Sequence, residues 1–177
     1  MLGNLMGMMK DIETPSELFR FQLMTLRDTE DQLLTALTHM SRMATSPEIA
    51  LAFREHLQQT EMQKQRLDQA LRLLGEEPAS EKCMGIGGII SEGEMMMKAI
   101  KNDMLRDKAM LAAGRKTEHY EMVAYNEARM SALELGRTDI VQLLETTLEE
   151  EEMTDHRLAM LAQSMTSSQA LAAFASR

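Results

Sequence analysis

Several acids of this chain sit where apolar residues belong. Leu23, Leu26, Glu30, Leu33 and Leu37 follow one another at three- and four-residue intervals, so Glu30 falls on the same seam as four leucines. Glu118 and Glu121 are three residues apart, which puts both on one side of a helix, about 4.5 Å apart along its axis. Leu144, Leu148, Glu151, Asp155 and Leu158 share a third seam. A carboxylate without a partner in an apolar core is costly, and several close together are worse. A cation bridged by the acids is one physical solution. Oxygen-rich ligation suits iron or manganese, one ion or a pair, and zinc is able to occupy the same donors. Each acid taken alone also has a plainer outlet, at a helix edge reaching water or against an arginine. The run of four glutamates at 149–152 reads by itself as a solvated face.

Imidazole is the other donor to consider. His56 lies beside an apolar stripe, close to Gln59, Thr60 and Gln63, and is the best placed of the four histidines to ligate a metal. His119, inside Glu118-His119-Tyr120-Glu121, and His156, four residues after Glu152, read as structural or exposed.

Other chemistries find no support. The stretch Met84-Gly85-Ile86-Gly87-Gly88-Ile89 is rich in glycine but lacks a preceding strand and a Gly-Lys-Ser/Thr ending, so it is not a phosphate loop. Cys83 is the single cysteine, which excludes an intramolecular disulfide and a cysteine-based zinc ribbon and suits a reducing compartment. A net charge of -9 leaves no concentrated basic face for nucleic acid. The N-terminus lacks a basic leader, and no run approaches the ~20 apolar residues that span a bilayer, so a soluble cytoplasmic protein with no membrane partner is the expectation. The 19 methionines are scattered rather than arranged in a Met-x-x-Met repeat and read as core filler.

The elements that must position these acids are helices. Helix formers dominate, aromatics make up only 3%, and there are 3 prolines in 177 residues, a balance that points to an all-α protein of one domain. Thr14-Pro15-Ser16-Glu17 has the form of a capping box with proline at the first helical position, and the helix it opens should end near Met43. Thr45-Ser46-Pro47-Glu48 repeats the device and opens a second helix that stops at Gly75. A third, glycine-weakened helix is expected over about 80–102, a fourth over about 103–135 with Gly136 as its stop, and a fifth from Thr138 to the region of Gln163. Residues 1–13 read as a flexible leader, 14–163 as the bundle and 164–177 as a C-terminal tail with no assigned element. Four long amphipathic helices joined by short turns, with a shorter one added, bury a shared core best as an antiparallel bundle.

Five strings carry a resemblance. Ser16-Glu17-Leu18-Phe19, Asp28-Thr29-Glu30-Asp31-Gln32-Leu33, Phe53-Arg54-Glu55-His56-Leu57, Glu118-His119-Tyr120-Glu121 and Glu145-Thr146-Thr147-Leu148-Glu149-Glu150-Glu151 occur in the right order. Together they resemble the YciE/YciF family of bacterial stress-associated ferritin-like proteins over roughly residues 12–163. The fourth string is the most specific. The resemblance implies a ferritin/rubrerythrin-like four-helix bundle, a homodimer, and a dinuclear metal site at the bundle centre. It makes Glu30 the acid of the first helix, Glu118 and Glu121 those of the fourth, and Glu151 that of the fifth, with iron or manganese reacting with O2 or peroxide. Departures from the pattern are also present. The full Glu-x-x-His pair of a ferritin site is absent, Gln59 and Gln63 are neutral, and Gly87 stands where relatives carry a glutamate. These leave open a site with a single ion, or a metal-free helical scaffold whose acids pair with residues such as Arg66 and Arg115.

Overall fold

The computed structural model describes residues 11–175, with side chains through 167. The described residues form five helices and no strand: α1 (Pro15–Met43), α2 (Pro47–Leu73), α3 (Met84–Ala99), α4 (Asp103–Glu134) and α5 (Thr138–Ala175). The first two begin at the caps their sequences supply. The Thr14 hydroxyl accepts from the Glu17 N–H at 3.2 Å, and the Glu17 carboxylate accepts from the Thr14 N–H at 3.1 Å, a reciprocal box. At the head of α2 the work is shared with a distant residue. Buried Asp107, on α4, accepts from the N–H groups of Thr45 (3.0 Å) and Ser46 (2.9 Å) and from the Thr45 hydroxyl (2.7 Å). The chain leaves α2 and α4 through Gly75 (φ +80°) and Gly136 (φ +68°), left-handed positions that suit glycine.

Two boundaries differ from the sequence reading. Helix α3 begins at Met84 rather than near Ser80, because the preceding backbone is held extended against α1. There the Glu81 N–H donates to the Met24 carbonyl (3.1 Å), the Cys83 N–H to Asp28 (2.8 Å), and the Gln32 amide to the Cys83 carbonyl (3.0 Å). Helix α5 continues past Gln163 to Ala175. The segment 164–175 contains neither glycine nor proline, so nothing in it breaks the helix. Of the leader, residues 1–10 lie outside the described residues, and 11–13 precede α1 without helical structure.

Ion pairs fix the relative directions of the helices. Arg27–Asp68 (2.6 Å) and Lys64–Asp31 join α1 to α2; Arg115–Asp155 (2.7 Å) and Arg129–Glu145 (3.3 Å) join α4 to α5; Arg66–Glu150 (2.6 Å) and Arg157–Glu55 join α2 to α5. In every pair the numbering rises on one helix as it falls on the other. Glu30 meets Tyr125 while Leu37 and Met40 face Ala113 and Gly114, so α1 and α4 are antiparallel as well. With α1 up, α2 and α4 run down and α5 up. The one long connection, between α2 and α4, is carried by α3, which lies against α1 and α4.

The interior is two apolar cores with a polar layer between them. One core gathers Phe19, Leu23, Leu67, Leu71, Tyr125 and Leu144; the other gathers Leu33, Leu37, Phe53, Met110, Leu111 and Leu158. Along α1 the divide falls at Thr29 and Glu30, both buried. Leu18 is exposed, since it lies one position off the buried face that begins at Phe19. Methionine fills the core at Met40, Met97 and Met110, but nine methionines are exposed among the described residues, so filler describes only part of their use.

Replacing Asp107 with alanine strips three donors of their acceptor at a buried helix start and is expected to cost about 3 kcal/mol. Urea unfolding of Asp107→Ala measures this; a midpoint within error of the parent would refute the capping role.

Candidate metal centre

Five side chains picked out in the sequence, Glu30, His56, Glu118, Glu121 and Glu151, are each at most 2% exposed. They come from α1, α2, α4 and α5 and lie in the layer between the two cores. One ligand atom from each of His56, Glu118, Glu121 and Glu151 lies within 4.8 Å of every other. His56 Nε2 is 3.1 Å from Glu118 Oε1, but not in the alignment of a hydrogen bond. Glu30 stands beside this group, and one of its oxygens accepts a hydrogen bond from the Tyr125 hydroxyl.

The partners around the cluster are neutral. Gln63 donates its amide to Glu151 Oε1 at 2.5 Å and to Glu150 at 3.1 Å. The Thr117 hydroxyl donates to the Gly114 carbonyl at 2.6 Å and lies 3.4 Å from Glu118 Oε1. The two arginines that a metal-free reading would enlist are engaged elsewhere, Arg66 with Glu150 and Arg115 with Asp155. Both Nδ1 and Nε2 of His56, both oxygens of Glu121, and Oε2 of Glu30, Glu118 and Glu151 therefore have no hydrogen-bond partner although buried. Orphaned polar atoms at this density are rare in folded proteins.

Electrostatics follow from this geometry. Burial first, then mutual repulsion, raises the Glu30, Glu121 and Glu151 carboxyls well above the usual carboxylate range. Glu118 is pushed up to about 7 by burial, against the lowering effect of the neighbouring Glu151 and Thr117 side chains. Burial lowers His56, which favours the neutral imidazole, the form that binds a metal.

The remaining sequence candidates fall outside the layer. His119 and His156 are exposed, as read, and His119 approaches Asp155 at 3.5 Å. Asp155, on the Glu151 seam, turns to Arg115. Gln59 accepts from Thr154 at 3.4 Å and is not part of the cluster, so of the two neutral positions on α2 only Gln63 bears on it. Gly87 abuts Gln32, and the cluster draws no side chain from α3 among the described residues. Tyr125 is the participant that sequence reading passed over. It stands four residues after Glu121 and seven after Glu118, on their seam, and the spacing carried the signal.

An up-down-down-up bundle with one long crossover, enclosing glutamates and a histidine contributed by all four long helices, is a ferritin-like fold with a buried carboxylate cluster. Comparison with known proteins agrees. The model of a domain of unknown function, DUF892, matches residues 14–171. Protein YciF of Escherichia coli is 32% identical over 153 residues, 86% of this chain and 92% of YciF. The crystal structure of that stress protein covers 88% of this chain and 99% of its own, with a TM-score of 0.84 and 31% identity. YcfI of Rhodopseudomonas palustris matches with a TM-score of 0.83 at 33% identity, covering 85% of this chain and 96% of its own. A ferritin-like, diiron-carboxylate protein of Bacillus anthracis shares the fold at 15% identity, with a TM-score of 0.67 over 85% of this chain and 99% of its own. The chain belongs to the YciE/YciF family. No helix among the described residues is long and apolar enough to cross a membrane.

The pH dependence of the metal-free protein follows from the raised carboxyls. For each, the stabilising contribution is complete below the ordinary value near 4.5 and is lost as pH rises through the folded-state value, about 7 for Glu118. His56 has the opposite sign, its contribution being present above 6.5 and lost at lower pH, but it is one group against four. Thermal unfolding of metal-free protein is expected to show a Tm several degrees lower at pH 8 than at pH 5. A Tm that is flat or rises over that interval would contradict the buried-acid electrostatics.

Proposed function

We propose that this protein is a ferritin-like metal-binding stress-response protein, with His56, Glu118, Glu121 and Glu151 as the donors of one iron or manganese ion and Glu30 as a further donor beside them. The observation that carries the reading is the set of orphaned buried atoms on these residues. They are hard oxygens and an imidazole, they converge from separate helices, and Arg66 and Arg115 are paired elsewhere. A divalent cation would neutralise the repulsion and take one nitrogen of His56 and oxygens of the acids as its ligands. Iron or manganese held there supplies redox chemistry toward O2 or peroxide. The chain's own residues set the conditions for it: two apolar cores exclude water on either side, Gln63 fixes the Glu151 carboxylate, and Thr117 touches Glu118. The likeness to a stress protein and to a diiron-carboxylate protein supports the same reading.

Protein reconstituted with Mn(II) or Fe(II) and desalted is expected to retain close to one equivalent of metal or more. Glu118→Gln, which keeps the shape and removes the charge, is expected to lower retention by at least tenfold, and a chelator to lower the Tm of loaded protein toward that of metal-free protein. Under one-tenth of an equivalent retained by the parent after reconstitution with both metals would overturn the reading.

A further inference from the structure

A cavity of about 180 Å³ lies between α1, α3 and α4, in the second apolar core. Its walls are Leu33, Leu37, Met40, Ile90 and Met97, and it exists because small residues line the same space. Ala36, Gly93, Ala113 and Gly114 all border it. Two of these are held small by their surroundings. A Cβ on Gly114 would come within 3.0 Å of Leu158 and 3.3 Å of Phe53, and one on Gly93 within 3.1 Å of the Ala113 methyl. The close crossing of α3 on α4 at Gly93 thus leaves a gap beside it that neither helix can fill from that point.

The cavity has two unlike ends. Lys98 and Glu94 stand at the outer end, paired at 3.3 Å, so their charges cancel. The inner end is Thr117, whose hydroxyl lies 3.4 Å from Glu118 Oε1. From Leu33 to Met43 the α1 wall runs ten residues, about 15 Å. An apolar cavity of ~150 Å³ in another protein takes up benzene, which sets the scale.

We propose that this cavity is a binding site for a neutral apolar molecule of about six to eight carbon atoms, seated with its inner end against Thr117 and thereby beside Glu118. The paired charges at the mouth offer an anion no net attraction, and His39 and the Thr117 hydroxyl are the other polar side chains in an otherwise apolar lining. The binding site itself needs no metal; its meaning as a substrate pocket rests on the metal reading given above.

Toluene is a suitable probe, followed by NMR of its methyl protons in the presence of metal-free, Zn(II)-loaded and Mn(II)-loaded full-length protein. Saturable binding to the metal-free protein is expected, weakened at least tenfold in Ala36→Leu, which fills the space from α1, and in Ile90→Trp, which fills it from α3. Octanoate is expected to bind more weakly than toluene. In the Mn(II) protein the bound methyl protons are expected to relax several-fold faster than in the Zn(II) protein. Absence of saturable binding, or binding unchanged in both variants with their helical content intact, overturns the site. Fast-relaxing manganese retained by the protein without any effect on bound toluene overturns its placement beside Glu118. Toluene binding by a protein that retains no metal sustains the cavity site and sinks the metal reading alone.

Discussion

Repulsion among acids withdrawn from water is the constraint that organises this molecule. Four carboxyls and an imidazole share one buried layer, with apolar core above and below. In the metal-free state the layer can be neutral only by taking up protons, and the raised titration of Glu30, Glu118, Glu121 and Glu151 is the expression of that demand. A cation meets the demand at neutral pH without protons. On the metal reading proposed above, metal affinity and pH sensitivity would be two faces of one electrostatic cost, since an ion would have to compete with the protons that otherwise hold the layer together.

The rest of the fold reads as the means of sustaining that cost. Basic residues on the long helices are spent on ion pairs outside the layer: Arg27 with Asp68, Arg66 with Glu150, Arg115 with Asp155. These set the antiparallel alignment and keep positive charge away from the centre. The two cores contribute the stability that the layer does not. Their large buried side chains, Phe19 and Tyr125 on one side, Phe53 and Met110 on the other, pack against residues from every long helix and prevent the helices from spreading to admit water.

How much of this was legible depended on where the information sits along the chain. Helix starts and stops are local: Thr14 with Glu17, Ser46 with Pro47, and the glycines at 75 and 136 announce themselves within a few residues. Seams are local too, so Glu30, Glu118, Glu121 and Glu151 were visible as acids out of place. What periodicity cannot supply is the partner across the bundle. Nothing near Asp107 says that it caps a helix sixty residues earlier, and nothing near Gln32 says that it pins Cys83 and delays α3. The same limit hides what Gln59 and Gly87 meet, which is Thr154 and Gln32. Tyr125 is a different case. Its position on the Glu118–Glu121 seam was plain, but an aromatic on an apolar seam reads as core, and only the carboxylate opposite reveals what its hydroxyl does.

Tyr125 and Gln63 also bear on how many ions the layer suits. Each gives a neutral donor to one oxygen of an acid, Tyr125 to Glu30 and Gln63 to Glu151, and leaves the second oxygen orphaned. Glu118 likewise has one orphaned oxygen, and Glu121 has two. The layer is therefore uneven: toward His56, Glu118 and Glu121 the donors are free and mutually close, while toward Glu30 and Gln63 they are partly satisfied by hydrogen bonds. A first ion on the free side displaces no hydrogen bond of Glu30 or Glu151. A second ion drawing on both oxygens of Glu30 would have to break the contact with Tyr125, leaving a buried hydroxyl without an acceptor, a loss of about 1–3 kcal/mol. On the metal reading proposed above, that asymmetry would make the first ion bind more tightly than the second, with the Tyr125–Glu30 contact contributing to the difference.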